Sequence, residues 1–142
     1  ELAADIAEIF RSSDACQRLA TVPGIGPVIA TALVSSVSDP SQFRNGRQFA
    51  AWLGLTPMQR SSGGKTRLGG ITKRGDTYLR TLLVQGARAV MHFVSRRDDR
   101  HSRWIKAVMQ RRHVNIAAIA LANKTARIAW AILAGTGCFK VA

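Results

Sequence analysis

Acidic side chains are scarce in this sequence: of 142 residues only 8 are Asp or Glu, against 21 Lys or Arg, a formal charge of +13. Few carboxylates are left to hold a divalent metal, and a polyanion becomes the natural partner, because each neutralised phosphate releases condensed counterions. Nucleic acid comes first among such partners, an anionic membrane second. Cysteine is nearly absent as well. Cys16 and Cys138 stand at opposite ends with no CxxC or Cys/His cluster, which argues against a disulfide framework and offers no zinc-site spacing. A reducing, cytoplasmic setting fits. No signal peptide shows. The most apolar stretch, Ile116 to Leu133, is interrupted by Asn123, Lys124 and Arg127, which a lipid-spanning helix tolerates poorly, so the reading is of a soluble protein with no membrane partner. Period-2 alternation, internal repeats and low-complexity tracts are also missing, which points away from strands and from a solenoid.

What is present is unevenly spread. Residues 1–40 hold two basic and five acidic side chains and sum to −3, so residues 41–142 carry +16. This asymmetry places the expected binding face after residue 40. The length and the 46% hydrophobic content suit one packed domain. Glu1 opens in the middle of a helix-like pattern, and the expectation is that further chain precedes it.

Helical spacing runs through Leu2, Ile6, Ile9, Phe10, Cys16 and Leu19 and predicts a helix over most of 2–20. The stretch Val22-Pro23-Gly24-Ile25-Gly26-Pro27 reads as a tight turn, with Pro27 presetting the first turn of a helix over Val28 to Val37. Asp39-Pro40 breaks the pattern, and Phe43, Phe49, Trp52 and Leu53 mark a short helix near 47–53. From Thr56 to Thr72 no period survives; Gly63, Gly64, Gly69 and Gly70 make this a long irregular loop, a kind that is usually functional or disordered. Helices follow from Asp76 to about Arg96, from Trp104 to Arg111 and from Val114 to Leu133. Gly86 and Ala87 allow a neighbour to approach the first of these. The expected fold class is all-α: a compact helical domain with a helix-hairpin-helix element and a long Gly-rich active-site loop.

Two stretches carry candidate chemistry. Leu19 to Ala30 has the proline, paired glycines and small residue of a helix-hairpin-helix, in which backbone N–H groups around Gly24 and Gly26 receive a phosphate. Val28 stands where many DNA-binding versions have lysine and the flank is acidic, so a purely structural corner competes evenly with that role. The second stretch runs Gln59-Arg60-Ser61-Ser62-Gly63-Gly64-Lys65-Thr66-Arg67 and continues through Ile71-Thr72-Lys73-Arg74-Gly75-Asp76. It lacks the Lys-Ser/Thr ending and the preceding strand of a P-loop. A serine here needs a proton acceptor and charge stabilisation, of which Arg and Lys supply the second. His92, His101 and His113 fall too late in the chain to suggest a Ser/His/Asp triad. Past residue 40 only Asp76, Asp98 and Asp99 are available as carboxylate ligands, so a two-metal nuclease confined to this chain is poorly supported and no metal site is assigned to it. The plain alternative is a flexible loop whose serines only donate hydrogen bonds. Arg96, Arg97, Arg100, Arg103, Arg111 and Arg112 form a candidate backbone track for DNA or RNA. Trp104 and Trp130 lie at helical spacing among aliphatics and are assigned to packing.

The order of these motifs adds a resemblance. Leu19 to Gly26, Phe49-Ala50-Ala51-Trp52-Leu53-Gly54-Leu55-Thr56-Pro57, Ser62-Gly63-Gly64-Lys65, Ile71 to Asp76, Leu79 to Leu83 and Ala120 to Ala131 occur as they do in one group of bacterial insertion-sequence transposases. That family couples an N-terminal RuvC-like DEDD domain, through a helical linker, to a C-terminal serine-bearing transposase domain. The chain resembles the last part from about Leu19 to Leu133. The resemblance implies that residues 1–20 end the linker and dimerisation helix, 21–137 form the transposase domain and 138–142 are a tail. The family's serine lies five residues after the proline of its Gly-Leu-x-Pro element and directly before glycine, as Ser62 does relative to Pro57, with Ser61 the alternative. Also implied are a phosphoserine link to DNA, a non-coding guide RNA, a homo-oligomeric full-length protein in the bacterial cytoplasm at the nucleoid, and Mg2+ in the RuvC-like domain with no cofactor in this chain. Around the serine, Arg60, Gly63, Gly64, Lys65, Arg67, Lys73, Arg74 and Arg80 would contact nucleic acid. The isolated chain is expected to bind without turnover. The competing function is a non-catalytic helix-hairpin-helix module for DNA or structured RNA.

Overall fold

A computed structural model describes residues 2–56 and 74–140, the side chains of residues 74–76 aside. Among these residues there are seven α-helices and no strand: α1 Leu2–Ser12, α2 Asp14–Leu19, α3 Pro27–Ser36, α4 Gly46–Trp52, α5 Arg74–Phe93, α6 Arg100–Arg111 and α7 Val114–Ala134. Short 3-10 turns at Pro40–Gln42 and Val94–Arg96 complete the list. The all-α reading holds. The expected loop over 56–72 lies almost wholly outside the described residues.

α7 is the floor of the core. Its buried face carries Ala117, Ala118, Ala122, Ala126 and Ala129 with Leu121, Thr125 and Ile132, and these small side chains let α4 and α5 pack closely onto it. By length and composition α7 would also suffice to cross a bilayer, but here that apolar face is spent on the other helices. Over it lie Leu19, Leu33, Phe49, Leu53, Leu55, Leu79, Leu83 and Ile105, all essentially inaccessible. Each such side chain contributes roughly 1.5–3 kcal/mol relative to exposure. Phe43, Phe49 and Trp52 form an aromatic cluster with centroids 5.1–6.0 Å apart, and Trp130 donates its indole N–H to Pro40 O at 2.9 Å. Trp130 is thus a packing residue, as its spacing suggested.

Two boundaries differ from the sequence expectation, and capping explains both. The helix expected over 2–20 breaks at Ser13, whose backbone is extended and whose hydroxyl accepts the Cys16 N–H at 3.2 Å. α1 buries nothing completely, whereas Cys16 and Leu19 of α2 lie in the core. The core therefore begins inside the 1–20 segment. α6 starts at Arg100 rather than Trp104 because Asp99 is its N-cap, accepting from Ser102 N at 3.1 Å and Ser102 Oγ at 2.8 Å. At the other end of the core, Arg18 pairs with Asp14 at 2.9 Å and donates to Ile132 O at 2.8 Å and Gly137 O at 3.1 Å. A guanidinium at the α7 C-terminus satisfies orphan carbonyls and complements the helix dipole. The segment after Gly135, silent in the sequence, folds back so that Phe139 N donates to Thr21 Oγ1 at 2.8 Å.

The α3–α5 crossing is set by two glycines. Gly24 has φ +96°, which a side chain rarely adopts, and its carbonyl oxygen would lie 2.3 Å from a Cβ placed on Gly86. Gly86→Ala gains up to about 1 kcal/mol of helix propensity, but the obstacle is backbone, and such overpacking costs about 1–3 kcal/mol. We expect a net loss of stability, read by urea denaturation. A stabilised Gly86→Ala protein would mean that the crossing is looser than described.

Candidate nucleic-acid interface

The helix-hairpin-helix element forms its predicted shape, with Gly26 as the N-cap of α3 and Pro27 at its first position. No side chain caps that terminus, and Gly26 is exposed. Its surroundings are apolar, however: Pro27 and Val28 share a groove with Leu2, Ile6 and Phe10 of α1, with Arg11 the one cation lining it. Gly24 is committed to Gly86, as described above. The hairpin is therefore accounted for as a packing corner, with Gly26 alone of the pair left facing outward.

The lead-in to the Gly-rich stretch is built more firmly. α4 ends at Trp52, and the chain turns through Gly54, φ +78°, into Leu55, which is 0% exposed and donates its N–H to Ala50 O at 3.0 Å. Two helices hold this turn from outside. Arg80 of α5 donates from Nη1 to Leu53 O at 3.4 Å, and a Cβ on Gly54 would sit 2.6 Å from that same nitrogen. Asn123 of α7 donates from Nδ2 to Leu55 O at 3.3 Å, while its Oδ1 accepts from Arg127 Nε at 2.9 Å. The backbone is thus fixed up to Thr56, six residues before Ser62. Arg80, listed above among the phosphate contacts, spends its guanidinium on this turn.

Arg60, Ser61, Ser62, Gly63, Gly64, Lys65, Arg67 and Lys73 lie outside the described residues. Arg74 opens α5, and its side chain is likewise outside the description. Among the described residues, no three His, Cys, Asp or Glu side chains converge as a metal site would require.

The arginine-rich stretch divides in two. Arg97 pairs with Asp99 at 3.3 Å and Arg103 with Asp98 at 3.6 Å, so these cations are partly neutralised. Arg96, Arg100, Arg111 and Arg112 are exposed, with no carboxylate partner among the described residues. Beside them, His101 is 8% exposed and stacks on Trp104 with ring centroids 6.4 Å apart and 6° between planes. Lys124 sits over the Trp104 ring, Nζ 4.0 Å from its centroid. Burial, the neighbouring Lys124 and, in opposition, Asp99 leave the His101 pKa below its ordinary value. Burial and then Arg127 and Arg100 lower that of Lys124. Asn123 and Lys124 were noticed in the sequence only as interruptions of an apolar run. Polar residues placed mid-helix in an alanine-rich segment were the available signal for both.

Comparison with known proteins gives this arrangement its context. Residues 16–110 match the family model described as Transposase IS116/IS110/IS902 family. A probable family 20 transposase of Pseudomonas aeruginosa is 57% identical over 124 residues, covering 87% of this chain and 37% of that protein. The transposase for insertion sequence element IS1111A of Coxiella burnetii is 45% identical over 129 residues, 91% of this chain and 35% of that protein. The transposase for IS1328 of Yersinia enterocolitica is 42% identical over 132 residues, 93% and 40% respectively. The chain thus spans between a third and two-fifths of the length of these relatives.

Two predictions follow from the geometry. Asn123→Ala should cost about 1–2 kcal/mol in urea denaturation, because it strips the Leu55 carbonyl of a buried partner; an unchanged midpoint would show that the bond is not made. For pH, His101 is held below its unfolded value near 6.5, so its contribution is complete above that value and is lost as pH falls through it toward the folded pKa. Asp39, held low by Ser41, and Asp99, held low by Ser102, lose theirs only below their unfolded value near 3.8. Melting temperature should therefore fall in two separate steps on acidification, and His101→Phe should remove the upper step alone. With the match running from Cys16 through α2 to α6 and across the whole Gly-rich stretch, the chain belongs to the transposase IS116/IS110/IS902 family.

Proposed function

We propose that the chain is the serine-bearing domain of a DNA transposase, binding transposon ends and target and exchanging strands through Ser62. The observation that carries this reading is the family match across residues 16–110, which includes Ser62 in its spacing to Pro57. In the step proposed, Ser62 Oγ attacks a DNA phosphorus, the bond from phosphorus to one deoxyribose oxygen breaks, and a phosphoserine ester forms. The serine proton goes to a base, and the departing oxygen takes up a proton. Reversal onto another strand's hydroxyl regenerates the serine and joins the new strand.

Charge on the phosphate is offset by Arg60, Lys65, Arg67, Lys73 and Arg74, while Gly63 and Gly64 let backbone approach the strand. Arg80 and Asn123 serve differently, fixing the turn from which this stretch departs. The described residues supply no carboxylate cluster, so the metal chemistry of the reading, Mg2+ on a RuvC-like DEDD domain, belongs to the rest of a longer protein. A guide RNA that selects the target and homo-oligomerisation of the full-length protein are part of the same proposal. The non-catalytic helix-hairpin-helix alternative draws less support, because Gly24 packs on α5 and apolar side chains flank the α3 terminus.

The test is adduct trapping. The full-length protein, its guide RNA and a labelled, nicked DNA target are run on a denaturing gel beside Ser61→Ala and Ser62→Ala. An adduct lost in Ser62→Ala and kept in Ser61→Ala is expected; the reverse pattern moves the nucleophile by one residue. A wild-type protein that transposes without an adduct would end the covalent mechanism.

A further inference from the structure

Between α6, α7 and the returning C-terminal segment lies a groove of about 420 Å³. One side is cationic, with Arg100, Lys124 and Lys140, none of which has a carboxylate partner among the described residues. The nearest acid, Asp99, is already engaged by Ser102 and Arg97. The other side is apolar, formed by Ile128 and Phe139 beside the edge of Trp104. Both faces of Trp104 are taken, one by His101 and one by Lys124, so the indole is wall rather than stacking platform. Below it, His101 Nε2 is buried without a hydrogen-bond partner, a polar atom left over at the groove's base.

Cations converging without acids repel one another, and the cost is relieved by an anion seated among them. An apolar wall opposite them suits a ligand that is charged at one end and flat or aliphatic at the other. Duplex DNA presents phosphate but keeps its bases stacked inside, so it reaches only the cationic side. An unpaired nucleotide reaches both. We propose that this groove seats one unpaired nucleotide of a nucleic-acid strand, its phosphate held by Arg100, Lys124 and Lys140 and its base or sugar against Ile128 and Phe139. The proposal rests on the nucleic-acid reading above but not on the serine chemistry.

The test measures binding of the full chain to labelled oligothymidylate, oligouridylate and a blunt duplex of equal length by fluorescence anisotropy. Lys124→Gln combined with Lys140→Gln is compared with wild type and with Arg11→Gln on α1, which packs only on α2 and α3. The double variant should weaken single-strand binding about tenfold or more and reduce the salt slope by about 1 to 1.5, the loss of two single-strand phosphate contacts. Duplex binding should change by no more than about threefold, and Arg11→Gln should leave both near wild type. Oligothymidylate and oligouridylate separate a DNA from an RNA occupant, and a loss on either supports the groove. Equal losses on duplex and single strand, or no loss on any probe, would overturn it. Lys140 is exposed, so Lys140→Gln alone carries the test if removing Lys124 from Trp104 lowers the melting temperature. A missing serine adduct with strand selectivity intact would count against the transposition chemistry and leave the groove standing.

Discussion

The structure depends on how closely α4 and α5 approach α7. Alanines at 117, 118, 122, 126 and 129 remove the bulk that would hold the helices apart, and Gly46 allows the start of α4 to come within 3.0 Å, measured from its Cβ position, of the Arg127 carbonyl. Dispersion rises steeply with such proximity. Closeness also gives side chains of modest reach a function, since Asn123 meets the Leu55 carbonyl only because α4 lies against α7. The same approach puts Arg80 of α5 on the Leu53 carbonyl from the other flank.

A transposase of the proposed kind must bring a nucleophile to phosphorus at one geometry, and positional errors near 1 Å are expensive in rate. A long Gly-rich stretch cannot fix that geometry by itself. Here the burden shifts to its root, where a glycine with positive φ, a fully buried leucine and two side-chain hydrogen bonds from separate helices converge within three residues. The basic surface has a different task. Its cations are divided between pairs with Asp98 and Asp99, which order the start of α6, and unpaired groups around Lys124 that remain available to phosphate.

Much of the helical frame was legible in the sequence, because apolar periodicity and Pro27 are local signals. The breaks at Ser13 and Asp99 were not, since a single serine in a periodic run, or an aspartate among arginines, reads as charge or filler until its hydrogen bond to the third residue on is seen. The site was legible in a complementary way. Motif order pointed to Ser62 and its flanking cations, which lie outside the described residues, whereas the contacts that hold their root join positions 27 and 68 apart in the chain. No periodicity reports such pairs. Arg80 shows the cost of this blindness: a cation one turn into a helix suggested a phosphate contact, and its guanidinium is directed at a backbone carbonyl.

The central claim, that α5 and α7 position the reactive stretch through Arg80 and Asn123, is tested most directly by the single-turnover rate of adduct formation at saturating DNA. Arg80→Ala and Asn123→Ala would be compared with wild type in the full-length protein at a temperature where all three are folded. Rates lower by about tenfold or more with unchanged DNA affinity are predicted. Wild-type rates in both variants would contradict the account and leave the two residues with a purely structural part.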